Sequence, residues 1–120
     1  MNKILIEVSV GELLDKLTIL EIKQEKIKDL EKLKYIKDEY SVLKDELNKS
    51  VKSNPKLDEL FSSLKKINEK LWVIEDDKRL CEKNSDFGEK FIKLSRDIHF
   101  LNDDRAKIKL EINNHTGSKI

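Results

Sequence analysis

Five residues in this chain combine side-chain types that could recognise a ligand: Asn68, Trp72, Asn102, Arg105 and Lys109. They supply two amides, an indole face and two cations, and no carboxylate falls in the same helical sector. A guanidinium forks onto phosphate, and an indole stacks on a base or sugar ring. Such a set suits an anionic small molecule that carries a ring. Arg105 is the most telling of the five, because it interrupts an apolar repeat formed by Phe87, Phe91, Leu94, Ile98, Leu101, Ile108 and Ile112. A guanidinium in a helical seam costs several kcal/mol unless an anion or good hydrogen bonds meet it. Three sources of that partner stand open: a bound ligand, Glu21 or another acid of the first helix, or a contact with a second subunit.

A second polar group comprises Glu75, Asp76, Asp77 and Arg79. Consecutive carboxylates on a helix point about 100° apart and do not close on one metal ion. Glu75 and Arg79 have the i,i+4 spacing of an ion pair. His99 has no partner at metal-ligand spacing, so neither a metal nor a cofactor is expected. Cys81 lies on the edge of an apolar stripe and reads as a small core residue. The chain has no glycine-rich phosphate loop and no serine in a strand-turn-helix elbow, so a nucleophilic enzyme is not expected.

The elements that must position these residues are helices. With three Gly and one Pro, the chain has little turn material and few, long helices are expected. Ser9-Val10-Gly11-Glu12 forms a capping box, and a helix follows it. Val10, Leu13, Leu14, Leu17 and Leu20 share one side of that helix, while Ile19 and Ile22 lie opposite. A helix apolar on two sides is sandwiched, either in its own bundle or in an oligomer. Glu21 and Gln24 fall within the main apolar sector and are expected to reach water. The helical pattern continues through Leu30, Leu33, Ile36, Tyr40, Leu43 and Leu47, and its drift places a bend or short loop near residues 29–34. Asn54 and Pro55 then suit an N-cap and first helical position, and Leu57, Leu60, Leu64, Ile67, Leu71 and Ile74 carry the next helix to about Lys83. Asn84, Ser85 or Asp86 is expected to cap the last helix, with Asp86-x-x-Glu89 as a second capping box.

The short linker makes the last two helices antiparallel neighbours. Counting along that hairpin separates Arg79 from Arg105 by roughly 20 Å, which argues against one small ligand using both. Ile4 to Val8 reads as a short N-terminal strand paired with a second subunit, or as an extended arm over the bundle. Residues 114–118 read as a frayed tail. The expected architecture is therefore an all-α helical bundle with a long antiparallel hairpin, in one domain spanning residues 1–120.

Composition narrows the partners. Charged residues make up 41% of the 120 positions, yet 25 basic and 24 acidic residues leave a net charge of +1. The signs are interleaved, as on solvated helix faces, and a nucleic-acid polymer or an anionic membrane would call for a basic stripe. No apolar run approaches the roughly 18 residues of a membrane span, and no signal peptide is read at the start, so the expected location is cytoplasmic. One cysteine forms no internal disulfide, in keeping with a reducing compartment.

Three segments, SVGELLDKLTILEIK at Ser9 to Lys23, LWVIEDDKR at Leu71 to Arg79 and LNDDRAKIKLEIN at Leu101 to Asn113, resemble an uncharacterised family. Its members are short helical proteins of bacteria and their phages, sometimes encoded beside surface-polysaccharide genes. The resemblance carries no activity, but it puts emphasis on Glu12, Asp15, Lys16, Glu21, Lys23, Trp72, Glu75, Asp76, Arg79, Asn102, Asp103, Arg105 and Lys109, of which Lys16, Glu21, Glu75 and Arg79 are supporting site candidates. The leading functional expectation is a non-catalytic binding module for a nucleotide, cyclic nucleotide or sugar nucleotide, which in a phage would sequester a host signal. The alternatives are an accessory or scaffold protein in surface-polysaccharide assembly and a small acid-base enzyme of the bundle type. A homo-oligomer, with a dimer first, is expected from the two-sided first helix.

Overall fold

The computed structural model describes residues 3–119 and contains four helices: α1 (Val10–Lys26), α2 (Leu30–Ser50), α3 (Pro55–Lys83) and α4 (Glu89–Thr116). Helix α1 is the hub. It packs against each of the other three, and α3 pairs along α4 as the short linker requires. Both apolar sides of α1 are consumed inside the chain, so that helix by itself no longer argues for an oligomer. The molecule extends over 47 × 34 × 26 Å, and its long axis matches the 29-residue α3 at about 1.5 Å per residue. Among the described residues, no helix is long and apolar enough to cross a membrane.

The core is leucine-rich and centred on one side of α1. Leu13, Leu14 and Leu17 meet Leu47 of α2, Leu57, Leu60 and Leu64 of α3, and Ile112 of α4. Cys81 is buried, as a small core residue should be.

Local chemistry explains the helix ends. At α1, the Ser9 hydroxyl accepts from the Glu12 N–H at 3.1 Å, which is one half of the expected capping box, while the Glu12 carboxylate pairs with Lys109 instead. Two further orphan donors are met by the far end of the chain: the Gly11 N–H donates to Asn113 Oδ1 at 2.7 Å and the Val10 N–H to Ser118 Oγ at 3.2 Å. The tail is therefore not frayed as expected. Helix α4 runs through to Thr116, Gly117 takes the left-handed conformation (φ 73°) of a helix stop, and Ser118 turns back onto α1. The break between α1 and α2 falls at residues 27–29, ahead of the expected position, because Asp29 caps α2 by accepting from the Glu31 and Lys32 N–H groups. Asn54 caps α3 and Pro55 is its first residue, as read from the sequence.

Two expectations are corrected at the helix termini. Residues 3–9 form neither a strand nor an arm lying on the bundle: Ile4, Leu5 and Ile6 are 86%, 93% and 75% exposed. β-branched composition does not make a strand when no edge is available to pair with. The second capping box also fails to form. Helix α4 starts after Gly88, without a side-chain cap, and Asp86 instead accepts from the Gly88 N–H at 3.2 Å in a local turn.

The α4 seam is covered over only part of its length. Ile112 is fully buried, whereas Phe91, Leu94, Ile98 and Leu101 are half-buried and Phe87 is 52% exposed. The heptad spacing marks a helix face correctly, but α1 is 17 residues long and its cover gives out beyond Ile22.

Candidate functional site

Asp15 organises the polar interior. It lies on the second face of α1, where Gly11, Asp15, Thr18 and Ile22 follow one another at steps of four, three and four residues and are all buried. Asn68 of α3 donates to Asp15 Oδ1 at 2.9 Å and to Thr18 Oγ1 at 2.8 Å. The Thr18 hydroxyl in turn donates to the Asp15 carbonyl at 2.7 Å. From α4, Arg105 closes a two-pronged pair, with Nε on Oδ1 at 2.9 Å and Nη2 on Oδ2. The partner of the seam guanidinium is thus an acid of the first helix, but Asp15 rather than Glu21. Glu21 accepts instead from the Tyr40 hydroxyl at 2.9 Å and from Lys65 at 3.1 Å. Burial, followed by the bond to Glu21, pushes the Tyr40 phenol up to about 12.

Burial pushes the Asp15 carboxyl up, but hydrogen bonds from Arg105 and Asn68 and the charges of Arg105 and Lys109 outweigh it, leaving the group below the ordinary carboxylate range. The hydrogen bond to Asp15 raises Arg105 against an opposing push from burial. The depressed carboxyl sets the sign of a linkage. An acid with a lower pKa folded than unfolded contributes stability above its unfolded value, about 3.9, and loses it as pH falls through the folded value. Urea midpoints measured below about pH 4 should therefore fall steeply for the parent and less steeply for Asp15→Asn. Parallel acid limbs would refute the assignment.

One edge of the Arg105 guanidinium remains for other use. Nη1 reaches Asn102 Oδ1 only at 3.4 Å, so one hydrogen on each Nη has no protein partner among the described residues. Arg105 also lines a cleft of about 200 Å³, together with Ile19, Ile22, Asn68, Leu71, Trp72, Glu75, Asp76 and Arg79. A second hollow of about 270 Å³ shares Glu75 and Arg79 with it and continues to Lys78, Glu82 and Ile98.

Of the five ligand candidates, Asn68, Trp72 and Arg105 line this cleft, and Asn102 stands beside Arg105. Lys109 is drawn away to pair with Glu12. Of the supporting residues, Glu75 and Arg79 line the cleft, while Glu21 belongs to the Tyr40–Lys65 cluster and Lys16 is exposed on α1. Arg79 and Arg105 both line the cleft, although they stand well apart along the hairpin. One expectation from spacing is corrected. Arg79 pairs with Asp76 at 2.8 Å and not with Glu75, which leaves the Glu75 carboxylate facing the cleft. Thr18 was missed from sequence, and Asp15, emphasised by the resemblance, was not assigned as the partner of Arg105. Their signal was a carboxylate and a hydroxyl, in step with Gly11 and Ile22, on the second face of α1.

Fold and site together define an all-α four-helix protein with a cleft beside a partly buried ion pair. The chain belongs to DUF6165, a family of unknown function, whose match spans residues 4–120. No curated protein and no solved structure matches it.

Proposed function

We propose that the chain is a non-catalytic binding module for a phosphorylated small molecule that carries a ring: a nucleotide, cyclic nucleotide or sugar nucleotide. The observation that supports this reading is the Arg105 guanidinium, anchored by Asp15 and lining a cleft together with Trp72. A pre-positioned fork binds phosphate without first having to order a long side chain. Arg79 supplies a second cation, held by Asp76 through a largely exposed pair worth about 0–1 kcal/mol, which a phosphate can displace. Glu75 would repel a bare anion and selects for a ligand with hydroxyl or amino donors on its ring. The shifts of Asp15 and Arg105 both move away from neutrality, which weighs against the acid-base enzyme. In a phage, such a module would sequester a signalling nucleotide.

Trp72 is the only tryptophan, so its fluorescence reports directly on the cleft. One nucleotide or sugar nucleotide from a panel should quench that emission, raise the melting temperature and be recovered unchanged by mass spectrometry. At about 100 times its dissociation constant it should stabilise the fold by about 2.7 kcal/mol. Trp72→Leu and Arg79→Met should fold as the parent does and lose the shift. A panel without any response would overturn the proposal, and a chemically altered ligand would replace it with an enzyme.

A further inference from the structure

Helix α4 carries a second repeat on the side away from Arg105 and Ile112: Ile92, Arg96, His99, Asp103, Ala106 and Leu110, at steps of four, three, four, three and four residues. Every one of them is exposed, Ile92 at 56% and Leu110 at 59%. The repeat is apolar at its ends (Ile92; Ala106 and Leu110) and polar in its middle (Arg96, His99 and Asp103), a pattern that suits another helix, and among the described residues no helix of this chain covers it. We infer that this face pairs with the same face of a second copy of the chain, with the two α4 helices antiparallel.

The pattern of side chains selects that occupant. With a twofold axis level with Leu101, Ile92 stands opposite the partner's Leu110, Arg96 opposite its Ala106, and His99 opposite its Asp103. The operation is its own inverse, so each contact occurs twice, as an isologous interface requires. Large apolar residues then meet at both ends, and near the middle His99, 3.8 Å from its own chain's Asp103, comes within hydrogen-bonding reach of the partner's Asp103. Arg96 also comes within a turn of the partner's Asp103, and it already lies over the exposed Phe100 ring, 5.7 Å from the centroid. A parallel arrangement would instead set Arg96 on Arg96 and Asp103 on Asp103, which like-charge repulsion disfavours. A short polar layer between apolar ends fixes register in helix pairs. The contact spans about 27 Å of helix and leaves the cleft at Arg105 open, so it stands independently of the ligand reading.

Sedimentation at tens of micromolar should find the parent dimeric. Ile92→Glu should be monomeric with an unchanged circular dichroism spectrum, since position 92 is exposed in the single chain. Asp103→Arg should weaken the dimer by at least about tenfold. Direction is read by oxidative cross-linking. A mixture of Ile92→Cys and Leu110→Cys chains should form a mixed disulfide rapidly, and either variant alone should not, because like positions lie about 27 Å apart. The native thiol of Cys81 is 4% exposed and stays out of the reaction. A monomeric parent would overturn the inference, as would a dimer indifferent to Ile92→Glu, or single variants that cross-link as fast as the mixture.

Discussion

Arg105→Met is expected to cost about 3–5 kcal/mol of stability in the absence of any ligand. Methionine keeps the length and apolar stem of the side chain, so packing is nearly preserved and the loss is electrostatic. What remains is the Asp15 carboxylate, with a side chain 5% exposed, stripped of both guanidinium bonds and left with one donor from Asn68. Asp15→Leu should be milder, because the Arg105 side chain is 28% exposed and can turn its charge to water once released. The asymmetry follows from which partner is able to leave the interior. Asp15→Leu combined with Arg105→Met should regain most of the loss, since replacing a buried pair by apolar residues of similar volume is often neutral or better. Urea unfolding of the three variants forms a double-mutant cycle. A loss below about 1 kcal/mol for Arg105→Met would mean that the pair contributes little to the fold. Because its loss destabilises the fold, Arg105 is a poor probe of ligand binding, whereas Trp72 and Arg79 can be replaced without disturbing the Asp15 pair.

Which parts of this arrangement can be read from the chain depends on how local their causes are. Ser9, Asn54 and Pro55 act within one helical turn, and the structure follows them. The repeat on α3 and α4 identifies the faces that meet, because side-chain direction along a helix is fixed by its pitch. How far a third element covers that face is a property of another segment's length, and the half-exposed Phe91 to Leu101 stretch reflects it. The partner of Arg105 lies 90 positions away on the face of α1 opposite its leucines, so the choice between Glu21 and Asp15 was made by packing. Ser118 and Asn113 likewise gain their role as caps only because α4 runs back to the start of α1. Residues 4–8 show the converse case, in which apolar composition suggests structure and no partner supplies it.

Gly11 marks the closest approach of those two helices, and its substitution is expected to reverse the usual rule. In a helix interior, Gly→Ala normally gains about 1 kcal/mol. At Gly11 an added Cβ would lie 2.7 Å from the carbonyl oxygen of Lys109 and 2.9 Å from Asn113 Oδ1. The first is backbone of α4 and yields only if the helices move apart. The second is the acceptor for the Gly11 N–H, so the same displacement strains a cap of α1. Gly11→Ala should therefore destabilise by about 2 kcal/mol, within the range for overpacking a close contact. Adding Asn113→Ala should recover little, since the Lys109 carbonyl remains in place. Gly88→Ala is the control: its Cβ would meet only Asp86 Oδ1, at 3.6 Å, and stability should stay within about 0.5 kcal/mol of the parent. Equal urea midpoints for the two alanine variants would show that α1 and α4 are not held at this distance in solution.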